Sequence, residues 1–63
     1  MNLKEIRLKR GMTQKELAIS IGVTDAAICQ YETGAREPDL ETLRKLSDVL
    51  NCTLDELIGK REG

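Results

Sequence analysis

The stretch Thr13 to Glu32, TQKELAISIGVTDAAICQYE, decides the fold, because it reads as two short helices joined by a tight turn. Thr13 can cap the first of these, and Glu16, three residues on, completes a capping box that satisfies two orphan amide donors reciprocally. Leu17, Ala18 and Ile21 then fall on one face at helical spacing. Gly22 stands where a helix commonly ends in a left-handed residue, a conformation that costs glycine little. Val23 is the apolar plug of the turn and Thr24 can cap the next helix. In that helix Ile28 and Tyr31 face inward, whereas Ala26, Cys29, Gln30 and Thr33 lie on the other side. An outer face with no Lys, Arg or Glu is unusual for a solvated surface, and its bareness points to a face that meets something.

Outward from this core the pattern stays helical. LKEIRLKR, residues 3–10, predicts a first helix with Leu3 and Ile6 inward and Gly11 as its stop. Met12 is expected to pack behind the second helix, and Ile19, out of phase with the inward face, to be a lone exposed aliphatic. Gly34 ends the third helix, and Ala35 to Pro38 form a loop. Asp39 caps a fourth helix whose inward stripe is Leu40, Leu43, Leu46 and Leu50; at about three turns it is too short for a zipper. Asn51 can adopt a left-handed stop, and Thr53 with Glu56 makes a second capping box ahead of a short helix carrying Leu54, Leu57 and Ile58. Residues 59–63, GKREG, are expected to fray. The expectation is an all-α chain forming one domain over residues 1–63.

Composition narrows the function classes. A chain of 63 residues is near the lower limit for a self-sufficient core, so an aliphatic bundle or dimerisation is expected. Tyr31 is the only aromatic residue, which argues against single-stranded nucleic-acid binding by base stacking. The formal charge is −1, but it is lopsided: Lys4, Arg7, Lys9, Arg10 and Lys15 make the first quarter basic, while Glu37, Asp39, Glu41, Asp48, Asp55 and Glu56 make the second half acidic. One positive edge can still face phosphates, with modest non-specific affinity. Cys29 and Cys52 sit on different elements and there is no histidine, so neither a tetrahedral metal site nor a Cys–His nucleophile is expected, and no cofactor. A glycine loop for phosphates is also missing, which makes an enzyme the weakest reading. No signal peptide or apolar run of spanning length is present, so the expected place is a reducing cytoplasm, away from membranes, with free thiols.

The string TQKELAISIGVT, followed by Ile28, Glu32, Gly34 and Pro38, resembles the helix-turn-helix of phage repressors and Cro-like (Xre-type) bacterial regulators. Arg7 ahead of Gly11, and LETLRKLSDVLNCTLDELI, extend the resemblance over nearly all of residues 3–58. It implies a compact five-helix, lambda-repressor-like DNA-binding domain with its helix-turn-helix at residues 13–33 and a recognition helix at 24–33. It also implies a partly buried ion pair between Arg7 and Glu32; without the resemblance Arg7 reads as one more solvated charge.

The same resemblance, with the chemistry of base edges, distributes the contacts. Gln30 is the expected base reader, since its amide can bond N6 and N7 of adenine, and Ala26 can touch a thymine methyl. Asp25 departs from the polar or basic residue common at its place. It favours the helix as a first-turn carboxylate, and at a base it would accept from a cytosine amino group. Gln14, Thr24 and Arg36 are expected on the DNA backbone. Leu54, Leu57 and Ile58, with Val49 on the flank of the fourth helix, supply a candidate dimer surface. The implied function is a sequence-specific regulator of double-stranded DNA, of repressor type, acting as a symmetric dimer on a palindromic operator. No small-molecule effector is evident. The alternative is a protein-interaction module that keeps the fold without binding DNA, favoured by the acidic balance, Asp25 and the absence of arginine on the recognition helix.

Overall fold

Four of the five helices begin on a side chain that accepts a hydrogen bond from the amide three residues on, which is why such short segments hold separate directions. The computed structural model describes residues 1–59, and its helices are α1 (Leu3–Lys9), α2 (Gln14–Ile21), α3 (Asp25–Thr33), α4 (Leu40–Leu50) and α5 (Leu54–Ile58). Thr13 accepts from Glu16 and Thr53 from Glu56, in both cases with the glutamate reaching back to the cap amide. Thr24 accepts from Ala27 and Asp39 from Thr42. Gly22, Gly34 and Asn51 end α2, α3 and α4 in the left-handed region, Asn51 at φ 54° as the one non-glycine residue there among the described residues.

α1 starts differently. The Asn2 amide N–H donates to the Leu57 carbonyl at 2.8 Å, and the Asn2 side-chain amide donates to the Glu56 carbonyl at 3.2 Å. The chain start is thereby sewn onto the last turn of α5, filling carbonyls that a helix end leaves open. Gly59 closes α5 at φ +79°, and a Cβ on it would stand 3.1 Å from the side-chain amide nitrogen Nδ2 of Asn2. Gly59 is therefore an ordered helix stop, not the first frayed residue; the rest of the expected frayed tail, 60–63, lies outside the described residues.

α2 packs against α3 and α4, α4 against α5, and α1 against α3 and α5. Leu3, Leu17, Ile28, Leu46, Leu50 and Leu57 are completely buried at the centre, joined by Ala18, Ile21, Ala27 and Tyr31. Burying each large aliphatic side chain contributes about 1.5–3 kcal/mol. Met12 and Val23 pack on the rim of this cluster, while Ile19 points to solvent.

Two expectations for leucines are corrected. Leu40 is 57% exposed. At 100° per residue it sits roughly 90° from the centre of the stripe formed by Leu43, Leu46 and Leu50, in the first turn of the helix. Leu57, expected at a dimer surface, has no exposed area because α1 and the Asn2 seam close over α5. Leu54 is half-buried, so Ile58 and Val49 are the exposed members of that set.

Candidate nucleic-acid interface

The outward arc of α3 is built by exclusion. Ala27, Ile28 and Tyr31 are buried and Glu32 is mostly covered, so Asp25, Ala26, Cys29, Gln30 and Thr33 are left facing out. At 100° per residue these residues span roughly 140° of the helix surface, with Cys29, Thr33 and Ala26 in the middle and Asp25 and Gln30 at its edges. The arc offers a carboxylate, a methyl, a thiol, an amide and a hydroxyl, a mixture of small donors, acceptors and apolar groups suited to groove edges. Asp25 Oδ1 accepts from the Ala26 amide at 2.9 Å, so part of its carboxylate satisfies the first turn of its own helix. The Thr24 hydroxyl is likewise engaged as a cap, accepting from the Ala27 amide at 3.1 Å.

Behind the arc, α3 is held by a buried polar cluster. Arg7 Nε donates to Glu32 Oε2 at 2.6 Å and Nη2 to Oε1 at 3.3 Å, with side-chain exposures of 7% and 4%. Arg7 Nη1 also donates to the Met12 carbonyl at 2.8 Å, fastening the α1–α2 loop to the same centre. Sequence reading did not foresee a further member: Gln14 Nε2 donates to Glu32 Oε1 at 2.9 Å. Gln14, expected on the DNA backbone, thus has one amide hydrogen committed inside the protein and only its second to offer outward. The start of α2 and the end of α3 are joined by this bond, and no spacing rule links residues 18 apart.

Arg36 follows Gly34, whose left-handed backbone at φ +84° turns the chain back over the last turn of α3. Its amide donates to the Gln30 carbonyl at 3.3 Å, and its guanidinium carbon stands 5.9 Å from the centre of the Tyr31 ring. Arg10, read from sequence only as part of a basic run, donates from Nε to the Leu50 carbonyl at 2.7 Å and from Nη2 to the Asn51 carbonyl at 3.1 Å. It caps α4 and lies in a structural role.

Burial pushes the Cys52 thiol up, with the Glu56 carboxylate adding to the effect, so the neutral thiol is favoured there. No group of three or more histidine, cysteine or acidic side chains with metal-holding geometry occurs among the described residues. No helix among them is long and apolar enough to cross a membrane.

The family described as "Helix-turn-helix" matches residues 3–57. The chain is 45% identical over 60 residues to the HTH-type transcriptional regulator ImmR of Bacillus subtilis, covering 95% of this chain and 47% of that protein. It is 33% identical over 60 residues to the cryptic phage CTXphi transcriptional repressor RstR of Vibrio cholerae, covering 95% and 54%. The chain spans about half the length of the curated relatives it matches. Among solved structures it is similar to the P22 c2 repressor protein in complex with synthetic operator 9T, at TM-score 0.84 and 36% identity over 89% of this chain and 85% of that one. It is also similar to a transcriptional regulator from Listeria innocua, at TM-score 0.86 and 26% identity, over 98% and 58%.

Proposed function

This chain belongs to the helix-turn-helix family that matches it over residues 3–57, and we propose that it is a sequence-specific double-stranded DNA-binding transcriptional regulator, of repressor type, that acts as a symmetric dimer. The observation that carries the reading is the outward arc of α3, free of Lys, Arg and Glu, on a frame similar to a repressor bound to operator. In this reading α3 enters the major groove. Gln30 and Ala26 meet base edges, with Asp25 at the entrance able to accept from a cytosine amino group. Arg36 and the second amide hydrogen of Gln14 hold phosphates, joined by the free end of the Thr24 hydroxyl. Two copies related by a two-fold axis would read half-sites about 34–36 Å apart, one helical turn.

The outward arc of α3 itself carries no Lys or Arg, so its own electrostatic component is small. Each neutralised phosphate contributes about −0.9 to the slope of log affinity against log salt. Base contacts and dimer geometry then carry a large share of the selectivity.

Selection of bound sequences from a random duplex pool, followed by titration of the selected duplex at increasing salt, tests the reading. A two-fold symmetric consensus, with affinity falling as salt rises, is the expected result. Absence of duplex binding at low salt would replace this reading with that of a protein-interaction module on the same fold.

A further inference from the structure

We infer that Tyr31 is a positioning residue for DNA contact: its ring seats the Arg36 guanidinium, so the phosphate-holding loop and the base-reading helix move as one unit. The inference rests on the DNA-binding reading above and adds to it a residue that otherwise belongs to the core. Tyr31 is the only aromatic side chain of the protein, and it stands in a cluster otherwise made of aliphatic groups. An aliphatic side chain there could take part in the same packing but would offer no π face. The ring instead lies under a guanidinium, 5.9 Å from its centre to Arg36 Cζ, within the range where a cation is attracted to the face of an aromatic ring.

The backbone reinforces the placement. Gly34 reverses the chain, and the Arg36 amide donates to the carbonyl of Gln30 at 3.3 Å, so residue 36 is fixed to two successive residues of α3. Arg36 forms no salt bridge among the described residues. Attraction of the cation to the ring uses none of the guanidinium N–H donors. The arginine is therefore held in place without loss of the groups that would bind a phosphate. A lysine in the same loop would also be drawn to the ring, but on a more flexible stem and without a planar fork of donors to present to a phosphate. Gln30, the base reader, and Arg36, the backbone contact, share one rigid attachment, which fixes the spacing between the base and the phosphate they touch.

The test is a cycle of variants, Tyr31→Leu, Arg36→Ala and both together, with Tyr31→Phe as the ring-retaining control. Affinity for the selected duplex is measured on proteins shown to be folded by circular dichroism. Loss of the seat leaves Arg36 to be ordered at the moment of binding, so Tyr31→Leu should weaken the wild type roughly two- to tenfold. It should have no further effect when Arg36 is already Ala, and Phe should restore what Leu loses. Since Tyr31 is the sole tyrosine, its emission in the free protein should also change on Arg36→Ala, a signature available even if the Leu variant does not fold. Equal weakening by Tyr31→Leu in both backgrounds, or an unchanged tyrosine emission, overturns the inference while leaving DNA binding in place. A wild type that does not bind duplex overturns both.

Discussion

The Arg7 guanidinium and the Glu32 carboxylate meet at 2.6 Å with both side chains nearly sealed from solvent, tying the first helix to the end of the third. Glu32 has both oxygens occupied, since Gln14 supplies a further donor to Oε1, and Arg7 is completed by the Met12 carbonyl. A buried pair of this kind is costly to break from one side because the partner is left charged and unmatched. Arg7→Ala or Glu32→Ala should therefore each lower stability by about 3–5 kcal/mol. The double variant should lose less than the sum of the two. Denaturant melts of the four proteins give the coupling directly, and strictly additive losses would mean that the two side chains act independently.

Arg10 should contribute to stability without touching DNA. Its two donors fill the Leu50 and Asn51 carbonyls at the negative end of α4, where a cation is also favoured by the helix dipole. Arg10→Ala removes these charge-assisted bonds at a site that solvent partly reaches, and should lower stability by about 1–2 kcal/mol. Operator affinity measured well below the melting temperature should stay near that of the parent. A large affinity loss with unchanged stability would place Arg10 on the DNA instead.

Much of the local structure was legible because capping is local chemistry. Thr13 with Glu16, Thr24, Asp39, and Thr53 with Glu56 each find a partner three residues away, and the structure has all of these caps. What the sequence did not disclose lies in contacts between polar groups of distant elements. Asn2 on α5, Arg10 on the end of α4 and Gln14 on Glu32 depend on how closely helices approach, and no periodicity reports that distance. Leu57 was misplaced for the same reason: the seam that buries it is made by the other end of the chain. The outward residues of α3 were legible as a group, since exposure on the helix follows from its 3.6-residue period. The pairing of Tyr31 with Arg36 was not, because it requires the turn at Gly34 to carry the loop back over the helix.

Acid should weaken two caps in particular. The hydrogen bonds from Thr42 hold the Asp39 carboxyl below its usual range, and those from Thr53 do the same for Glu56. A carboxylate whose folded pKa is depressed stabilises the fold fully above its unfolded pKa of about 4, and that contribution disappears as pH falls through the lower, folded value. Melting temperature should therefore decline as pH drops from neutral to about 3. The paired variant Asp39→Asn and Glu56→Gln keeps side chains that can still accept the cap bonds but do not titrate. It should start lower at neutral pH and lose less on acidification; an identical acid loss in parent and variant would remove these caps from the account.

Self-association should run through Ile58 and Val49, which are 46% and 38% exposed, and not through Leu57. Ile58 adjoins a shallow apolar groove lined by Met1, Pro38 and Leu43, with Glu37 at its edge. Covering such a surface with a second copy would add apolar burial that a chain this small lacks. Ile58→Lys should leave the melting temperature of the monomer within a few degrees and weaken two-half-site binding far more than single-half-site binding. Sedimentation at micromolar protein, with and without duplex, provides the independent measure. A strict monomer in both conditions ends the proposal.

Gln30 should fail differently from every residue that holds the DNA backbone. Its amide stands at the edge of the outward arc, one turn after Ala26, where it can reach both N6 and N7 of an adenine. Losing a good bidentate base contact removes about 1–3 kcal/mol of discrimination at one base pair. Gln30→Ala keeps the carbonyl that receives the Arg36 amide, so the loop and the guanidinium near the Tyr31 ring remain in place. Preference should relax at one position of each half-site while the salt slope stays nearly constant. Arg36→Ala should do the reverse, weakening all sequences alike and reducing the slope by about one unit per lost contact. Binding of both variants to a panel of single-base substitutions at two salt concentrations separates the effects. If Gln30→Ala retains full discrimination at every position, the amide does not read a base, and the reading groups of α3 must be sought among Asp25, Ala26, Cys29 and Thr33.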